Sequence, residues 1–141
     1  MKAFLPVILI SILTIVGCNS QTGETMVLLD EKVVEVKISE SNGLGGMNED
    51  ILLSFTDEQS IATFEKAITT AIQQAGTVDM TKPDYDVMVE YDASDGGFPT
   101  HGIHLWLGDE GEKSTFMYIA DDVVYLTSSK VTNQLRELIL K

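Results

Sequence analysis

Cysteine and basic residues are scarce in this sequence. Its single cysteine, Cys18, cannot form an intramolecular disulfide or a thiolate zinc site, so the fold must be held by packing. Nine lysines and arginines stand against 22 acidic residues, giving a formal net charge of −13. Because binding to phosphates requires Lys and Arg, we predict no nucleic-acid partner. The G-x-S-x-G and S-x-x-K motifs of serine hydrolases and internal repeats are also missing.

The N-terminal stretch has the layout of a secretory signal. Lys2 precedes an apolar run from Ala3 to Val16. The run has about 14 residues, whereas a helix that crosses the hydrocarbon of a bilayer needs about 20. We therefore predict a cleaved signal peptide over residues 1–17 rather than a permanent membrane span.

The end of this run resembles the lipobox of bacterial lipoproteins, carried by Ile15, Val16, Gly17 and Cys18. The resemblance implies that Ile15, Val16 and Gly17 form the signal cleavage motif and that Cys18 is lipidated. Two acyl chains on Cys18 would anchor the chain stably in a lipid bilayer. The predicted location is the cell membrane, lipid-anchored and facing outside the cytoplasm. The alternative is an ordinary secretory signal with an unmodified cysteine.

The remaining residues are enough for one domain. We predict a flexible tether over residues 18–27, because it begins with the polar stretch NSQTGET, and a single α+β domain over 28–141. Alternating apolar residues predict strands around 34–38 and 51–55. Thr56 and Gln59 form a capping-box pattern ahead of an amphipathic helix predicted from Asp57 to Ala75.

Alternation continues in the C-terminal half, where four further strands at spacings of about ten residues predict an antiparallel meander. Ser128 or Ser129 can cap a closing helix. The predicted order is ββαββββα, a curved antiparallel sheet of about six strands with two helices packed on one face.

Three stretches of the chain resemble a known family. They are VKISESNGLGGMN, TFEKAITTAIQQAGTVDMTKPDYDV and GIHLWLGDEGEKSTFM, and the likeness runs from about Val36 to the C-terminus. They resemble the YhfM-like family of small lipoproteins of Gram-positive, Bacillus type. The resemblance implies a surface lipoprotein, and it implies no activity, catalytic residue or cofactor.

Candidate chemistry is sparse. His101 and His104 lie three apart on a predicted strand, so they point to opposite faces and we predict no histidine metal site. Asp92 and Asp95 are weak candidates for a calcium turn, which lacks the Glu expected at the twelfth loop position. The paired carboxylates that a cell-surface hydrolase could use are Asp109, Glu110 and Glu112. That hydrolase is the alternative function.

An aromatic sheet face is the strongest candidate site. If the helices cover the face that holds Val87, Leu105, Met117 and Leu126, the other face presents Met88, His104, Trp106, Phe116, Tyr118 and Tyr125. A contiguous aromatic patch is typical of an interface. We predict that it binds a protein or peptide partner or a second copy; the alternative is that another segment covers it. The chain is thus predicted to be a non-enzymatic binding or interaction module.

Overall fold

The computed structural model describes residues 23–75, 80–92 and 99–141. The elements, in chain order, are β1 (Val33–Glu40), β2 (Ile51–Phe55), α1 (Glu58–Thr69), β3 (Ile72–Gln73), β4 (Tyr85–Tyr91), β5 (Thr100–Trp106), β6 (Thr115–Tyr118), β7 (Tyr125–Leu126) and α2 (Ser129–Ile139). Within these residues no helix is both long and apolar enough to cross a bilayer.

The strands form one antiparallel sheet in the order β2-β1-β4-β5-β6-β7-β3. Strands β4, β5, β6 and β7 follow one another as a meander, as the regular spacing of the alternating segments predicts. The predicted α+β class is confirmed. The described part of the sheet has seven strands rather than about six, because the two-residue strand β3 adds an edge beside β7.

One face of the sheet, here called the helix face, carries the core. The register aligns Val36 with Val89, Ile38 with Val87 and Ile103, and Leu105 with Phe116, so apolar side chains from four strands lie side by side. Helix α1 adds Phe64, whose ring centroid lies 5.2 Å from that of Phe55. Helix α2 adds Leu135, which is fully buried.

Helix α1 begins and ends differently from the prediction. Asp57 is the N-cap, and its carboxylate accepts the Ser60 N–H at 2.9 Å, so the predicted Thr56 capping box is wrong. The same hydrogen bond lowers the pKa of Asp57. The helix ends at Thr69 instead of Ala75, because Ile72 and Gln73 pair with β7. Helix α2 has the predicted cap, in which the Ser128 hydroxyl accepts the Val131 N–H.

The N-terminal segment joins the domain earlier than predicted. The N–H of Met26 donates to the carbonyl of Ala71 at 3.2 Å, and its side chain is only 2% exposed. The Gln73 N–H donates to the carbonyl of Glu24 at 2.7 Å. The predicted flexible tether therefore does not extend to residue 27, since an apolar side chain at position 26 packs into the core.

The opposite face of the sheet, here called the far face, is partly covered by chain segments. The connection between β1 and β2, residues 41–50 and here called the β1–β2 loop, bonds to β4 through Asn48 and Asp86. Positive φ angles at Gly43 and Gly45 allow this loop to turn. The segment before β4 crosses Trp106, whose indole N–H donates to the Thr81 carbonyl at 3.0 Å. As a result, several polar residues of the far face are buried.

Candidate binding cleft and the Asp86–His104 pair

Several predicted site residues lie outside the described residues. These are Ile15, Val16, Gly17, Cys18 and Asp95. Asp92 is described, and its side chain is exposed. Among the described residues, no three His, Cys, Asp or Glu side chains gather into a group that could hold a metal ion.

The predicted aromatic face does not exist as one surface. Met88, His104 and Trp106 lie on the far face, as predicted, whereas Phe116, Tyr118 and Tyr125 lie on the helix face. The register shows this directly, because Phe116 pairs with the core residue Leu105 and also with Tyr125. Met117 and Leu126, which were predicted to be core on the helix face, are on the far face for the same reason.

The prediction assigned the alternate side chains of β6 to the wrong faces of the sheet. Strand β6 reads Thr115-Phe116-Met117-Tyr118, so every position is compatible with burial and the alternation gives no preference for either phase. The turn between β5 and β6 decides it, and this turn is closed by Ser114. The Ser114 hydroxyl accepts the Gly108 N–H at 3.0 Å and lies 2.7 Å from the Thr132 hydroxyl of α2.

His104 and Asp86 form a buried pair on the far face. The two residues are opposite each other in the β4–β5 register, both are 0% exposed, and Nδ1 of His104 lies 2.7 Å from Oδ1 of Asp86. Nε2 of His104 is buried and has no hydrogen-bond partner among the described residues. The predicted exposure of His104 on an interaction face is therefore wrong.

The second oxygen of Asp86 holds the β1–β2 loop. Oδ2 accepts the backbone N–H of Asn48 at 2.8 Å. On the neighbouring strand, the Ser39 hydroxyl donates to the Asn48 carbonyl at 2.7 Å. Sequence reasoning missed this arrangement, because a polar residue at alternate strand positions normally indicates a solvated face.

Trp106 borders this pair. Its ring is perpendicular to that of His104, at 70°, with the centroids 6.2 Å apart. The indole is half-buried, and its N–H is satisfied within the chain by Thr81. Trp106 was predicted to be freely exposed at the centre of an interface. That prediction is wrong, because the indole N–H is bonded within the chain and part of the ring is buried.

Next to these residues, the far face holds a cleft of about 570 Å³. It is lined by Met47, Met88, Thr100, His101, Gly102, Tyr118 and Ile119. Gly102 makes room for the Ile119 side chain that lines the cleft, because a Cβ atom at this position would lie 2.7 Å from Cδ1 of Ile119. Most of the lining is apolar, and none of these lining residues carries a charge at neutral pH. The side chain of His101 points to the helix face, since it pairs with Val89.

An aromatic cluster lies on the helix face at the same end of the sheet. The Tyr91 hydroxyl and Nδ1 of His101 are 2.7 Å apart, and the rings of His101, Tyr118 and Tyr125 follow at centroid distances of 5.7 and 6.0 Å. Burial lowers the pKa of His101 and raises the pKa values of Tyr91, Tyr118 and Tyr125. At neutral pH the cluster is therefore uncharged.

Tyrosine hydroxyls in this cluster hold the N-terminal segment. The Tyr118 hydroxyl donates to the carbonyl of Val27 at 2.6 Å and accepts the N–H of the same residue at 2.7 Å. The Tyr91 hydroxyl accepts the Leu29 N–H at 3.3 Å. The segment that leads to the predicted anchor is thus held by tyrosine side chains as well as by an isolated antiparallel bridge between Thr25 and Ile72 of β3.

The acidic turn does not form a paired-carboxylate site. Asp109, Glu110 and Glu112 are all exposed, and the turn is closed by the Glu112 N–H, which donates to the Asp109 carbonyl at 2.9 Å. Gly111 adopts the positive φ of 80° that such a turn requires. These three carboxylates lie on a solvated turn, and Glu110 also lines a cleft of about 280 Å³ with Arg136 and Glu137.

The fold and the far-face cleft together describe a small α+β domain with a largely apolar cleft on one face of its sheet. The family model described as YhfM protein matches residues 30–141, which is most of the chain. The chain belongs to the YhfM protein family, so the predicted family is confirmed, whereas the lipoprotein nature and the Bacillus type stay predictions.

A comparison with solved structures shows a similar fold. The chain is similar to the crystal structure of a thioesterase-like protein from Clostridium sporogenes, with a TM-score of 0.61 and 16% sequence identity. The match covers 77% of this chain and 95% of that one. No curated protein matches the chain. At this identity the similarity establishes the fold alone.

Proposed function

We propose that this chain is a lipid-anchored, extracytoplasmic binding protein, without enzymatic activity, whose ligand occupies the far-face cleft. Anchoring is supported by the lipobox pattern that ends at Cys18 and by the short apolar run before it. The bilayer is the first partner in this proposal, and a ligand or the side chain of a protein partner is the second.

The observation that carries the binding role is the apolar lining of the cleft beside Gly102. Its volume of about 570 Å³ lies within the range of about 300 to 1,000 Å³ that is typical of small-molecule sites. Met47, Met88 and Ile119 supply flexible apolar walls, and thioether side chains adapt well to ligands of varied shape. Such a cleft favours burial of apolar surface over charge recognition.

The charge of the protein narrows the class of ligand further. The formal net charge of −13 repels anions from the whole surface, and no cationic side chain lines the cleft to offset it. We therefore infer a neutral apolar ligand, or an uncharged apolar side chain presented by a partner protein.

A neutral apolar dye tests this proposal. N-phenyl-1-naphthylamine fluoresces when it leaves water, and we expect saturable binding to the purified full-length chain. Met88→Glu should weaken binding about tenfold or more, since a carboxylate placed against a bound apolar ring loses its hydration. Leu52→Glu is the matched control, because it adds the same charge to a side chain that is 56% exposed on β2. Equal binding by the two variants would exclude the cleft as the site.

Thioester hydrolysis is the second candidate function. It is favoured by the similar fold of the thioesterase-like protein and by the Asp86–His104 pair, since hydrolases use a carboxylate to orient an imidazole base. Neither residue lines the cleft, and Nε2 of His104 is enclosed, so the geometry favours binding. Turnover of an acyl thioester that disappears in His104→Gln would favour the hydrolase instead.

A further inference from the structure

Asn48 is the most heavily bonded residue of the β1–β2 loop, and all four of its hydrogen-bonding groups have partners. Its N–H donates to Asp86, its carbonyl accepts from Ser39, its side-chain amide donates to the Glu40 carbonyl at 2.8 Å, and its side-chain oxygen accepts the Asp50 N–H at 3.1 Å. Asn48 therefore fixes where the loop lies on the sheet.

The residue before Asn48 reaches the cleft. Met47 lines the cleft together with Met88 on β4. On the other side of Met47, the loop tip is exposed and contains Gly43 and Gly45, with no atom within 4 Å of the position of a Cβ at either glycine. The loop thus combines an unpacked tip, one wall of the cleft and a heavily bonded residue, Asn48, beside that wall. At the start of the loop the Ser41 N–H also donates to the Asp84 carbonyl at 3.2 Å.

We propose that the β1–β2 loop is a lid on the cleft, and that the Asp86–His104 pair is the latch that holds this lid through Asn48. This inference rests on the proposed function, because a lid matters only if the cleft binds a ligand. Opening requires the Asn48 N–H to leave Asp86 and the Ser39 hydroxyl to leave the Asn48 carbonyl, which swings Met47 away from Met88.

The chemistry of the pair suits a latch. Asp86 is fully buried and accepts from His104 and Asn48, and a buried carboxylate that loses one of its two donors is strongly disfavoured. His104 bonds to Oδ1 through Nδ1 and so holds the carboxyl group in the orientation in which Oδ2 meets the Asn48 N–H. Since neither residue lines the cleft, both act as positioning residues and not as contacts to the ligand.

Amide hydrogen exchange in the full-length chain tests the latch. Ser39→Ala removes the hydrogen bond to the Asn48 carbonyl and leaves the bond between the Asn48 N–H and Asp86 chemically intact. Faster exchange of the Asn48 amide in this variant therefore shows that these two bonds open together. We expect an increase of about fivefold from the loss of one neutral hydrogen bond. In Asp86→Asn the reporter is the Gly43 amide, which donates to the Ser41 hydroxyl at 3.1 Å and keeps that partner. Its exchange should rise by more, about tenfold to a hundredfold, because a charge-assisted bond is lost.

Ser54→Ala is the matched control, because Ser54 also donates a strand hydroxyl, in this case to Glu35 and away from the loop. It should leave the Asn48 and Gly43 exchange rates unchanged. The association rate constant of N-phenyl-1-naphthylamine should rise in Ser39→Ala and not in Ser54→Ala.

If the exchange rate of the Asn48 amide is unchanged in Ser39→Ala, the latch is refuted regardless of the result of dye binding. Faster exchange with an unchanged dye association rate overturns the lid. Dye binding that is insensitive to Met88→Glu counts against the proposed function, and the exchange rates still decide the latch. Should Asp86→Asn fail to fold, Ser39→Ala carries the test alone, since it leaves the buried pair in place.

Discussion

The phenol oxygen of Tyr118 makes two of the hydrogen bonds that attach the N-terminal segment to the sheet. Tyr118→Phe removes both hydrogen bonds to Val27, at 2.6 and 2.7 Å, and leaves the aromatic ring in place. Each bond contributes about 1 kcal/mol net. Because Val27 is 69% exposed, water can replace the lost partner, and no full desolvation penalty is added. We therefore expect the free energy of unfolding to fall by about 1 to 2 kcal/mol.

Amide exchange locates this loss. The Met26 amide donates to Ala71 and the Leu29 amide donates to Tyr91, and both bonds remain chemically intact in the variant. If residues 25–29 open as one unit, both amides should exchange about 5 to 30 times faster, which corresponds to 1 to 2 kcal/mol. Urea unfolding of the same sample gives the global change.

Tyr125→Phe is the matched control for this prediction. The same atom is removed from a ring 6.0 Å from that of Tyr118, and no hydrogen bond of the Tyr125 hydroxyl is found within the described residues. The control should change the free energy of unfolding by less than about 0.5 kcal/mol. If both variants lose the same stability, or if Met26 and Leu29 exchange at wild-type rates, the phenol does not fasten the segment.

Three further outcomes follow from the structure and the sequence. Burial raises the pKa of Tyr91 and Tyr118 above the ordinary value of 10. Their contribution to stability is therefore complete below pH 10 and is lost as the pH rises through the folded-state pKa values. Urea unfolding across this pH range should show a smaller loss of stability in Tyr118→Phe than in the wild type. Burial lowers the pKa of His101 below 6.5, so stability should fall as the pH drops from 6.5 towards the folded-state value, and His101→Gln should flatten that slope. Cys18→Ser should move the protein from the detergent phase to the aqueous phase in a detergent partition, and equal partitioning of the two forms would refute lipidation at Cys18.

The elements of the fold were predictable because each depends on local sequence. Period-two alternation in β4 and the periodic stripe of α1 reflect burial of one side of one element, and a single sequence contains that information. The end of α1 was not predictable from its own residues. Ile72 continues the apolar stripe, but pairing with Leu126 in β7 takes it out of the helix.

The candidate site was less predictable, because it depends on which segments cover the far face. Asp86 and His104 alternate with the core residues Val87 and Ile103, so the strand pattern alone assigns them to solvent. They are buried because the β1–β2 loop lies over them, and the position of the loop is set by bonds between Asn48 and residues distant in sequence. Local periodicity holds no information about such bonds.

Irregular chain segments lie over part of each face of the sheet, which explains why polar residues are buried on both faces. On the helix face, the Tyr91 hydroxyl meets His101 and the N-terminal segment, and on the far face Asp86 meets His104 and the β1–β2 loop. In each case a residue of β4 makes one hydrogen bond to a histidine of β5 and a second hydrogen bond to an irregular segment. A buried polar group that loses a hydrogen-bond partner is disfavoured, so each pair favours the attached position of its segment. The two pairs therefore make the attachment of both segments part of the stability of the sheet.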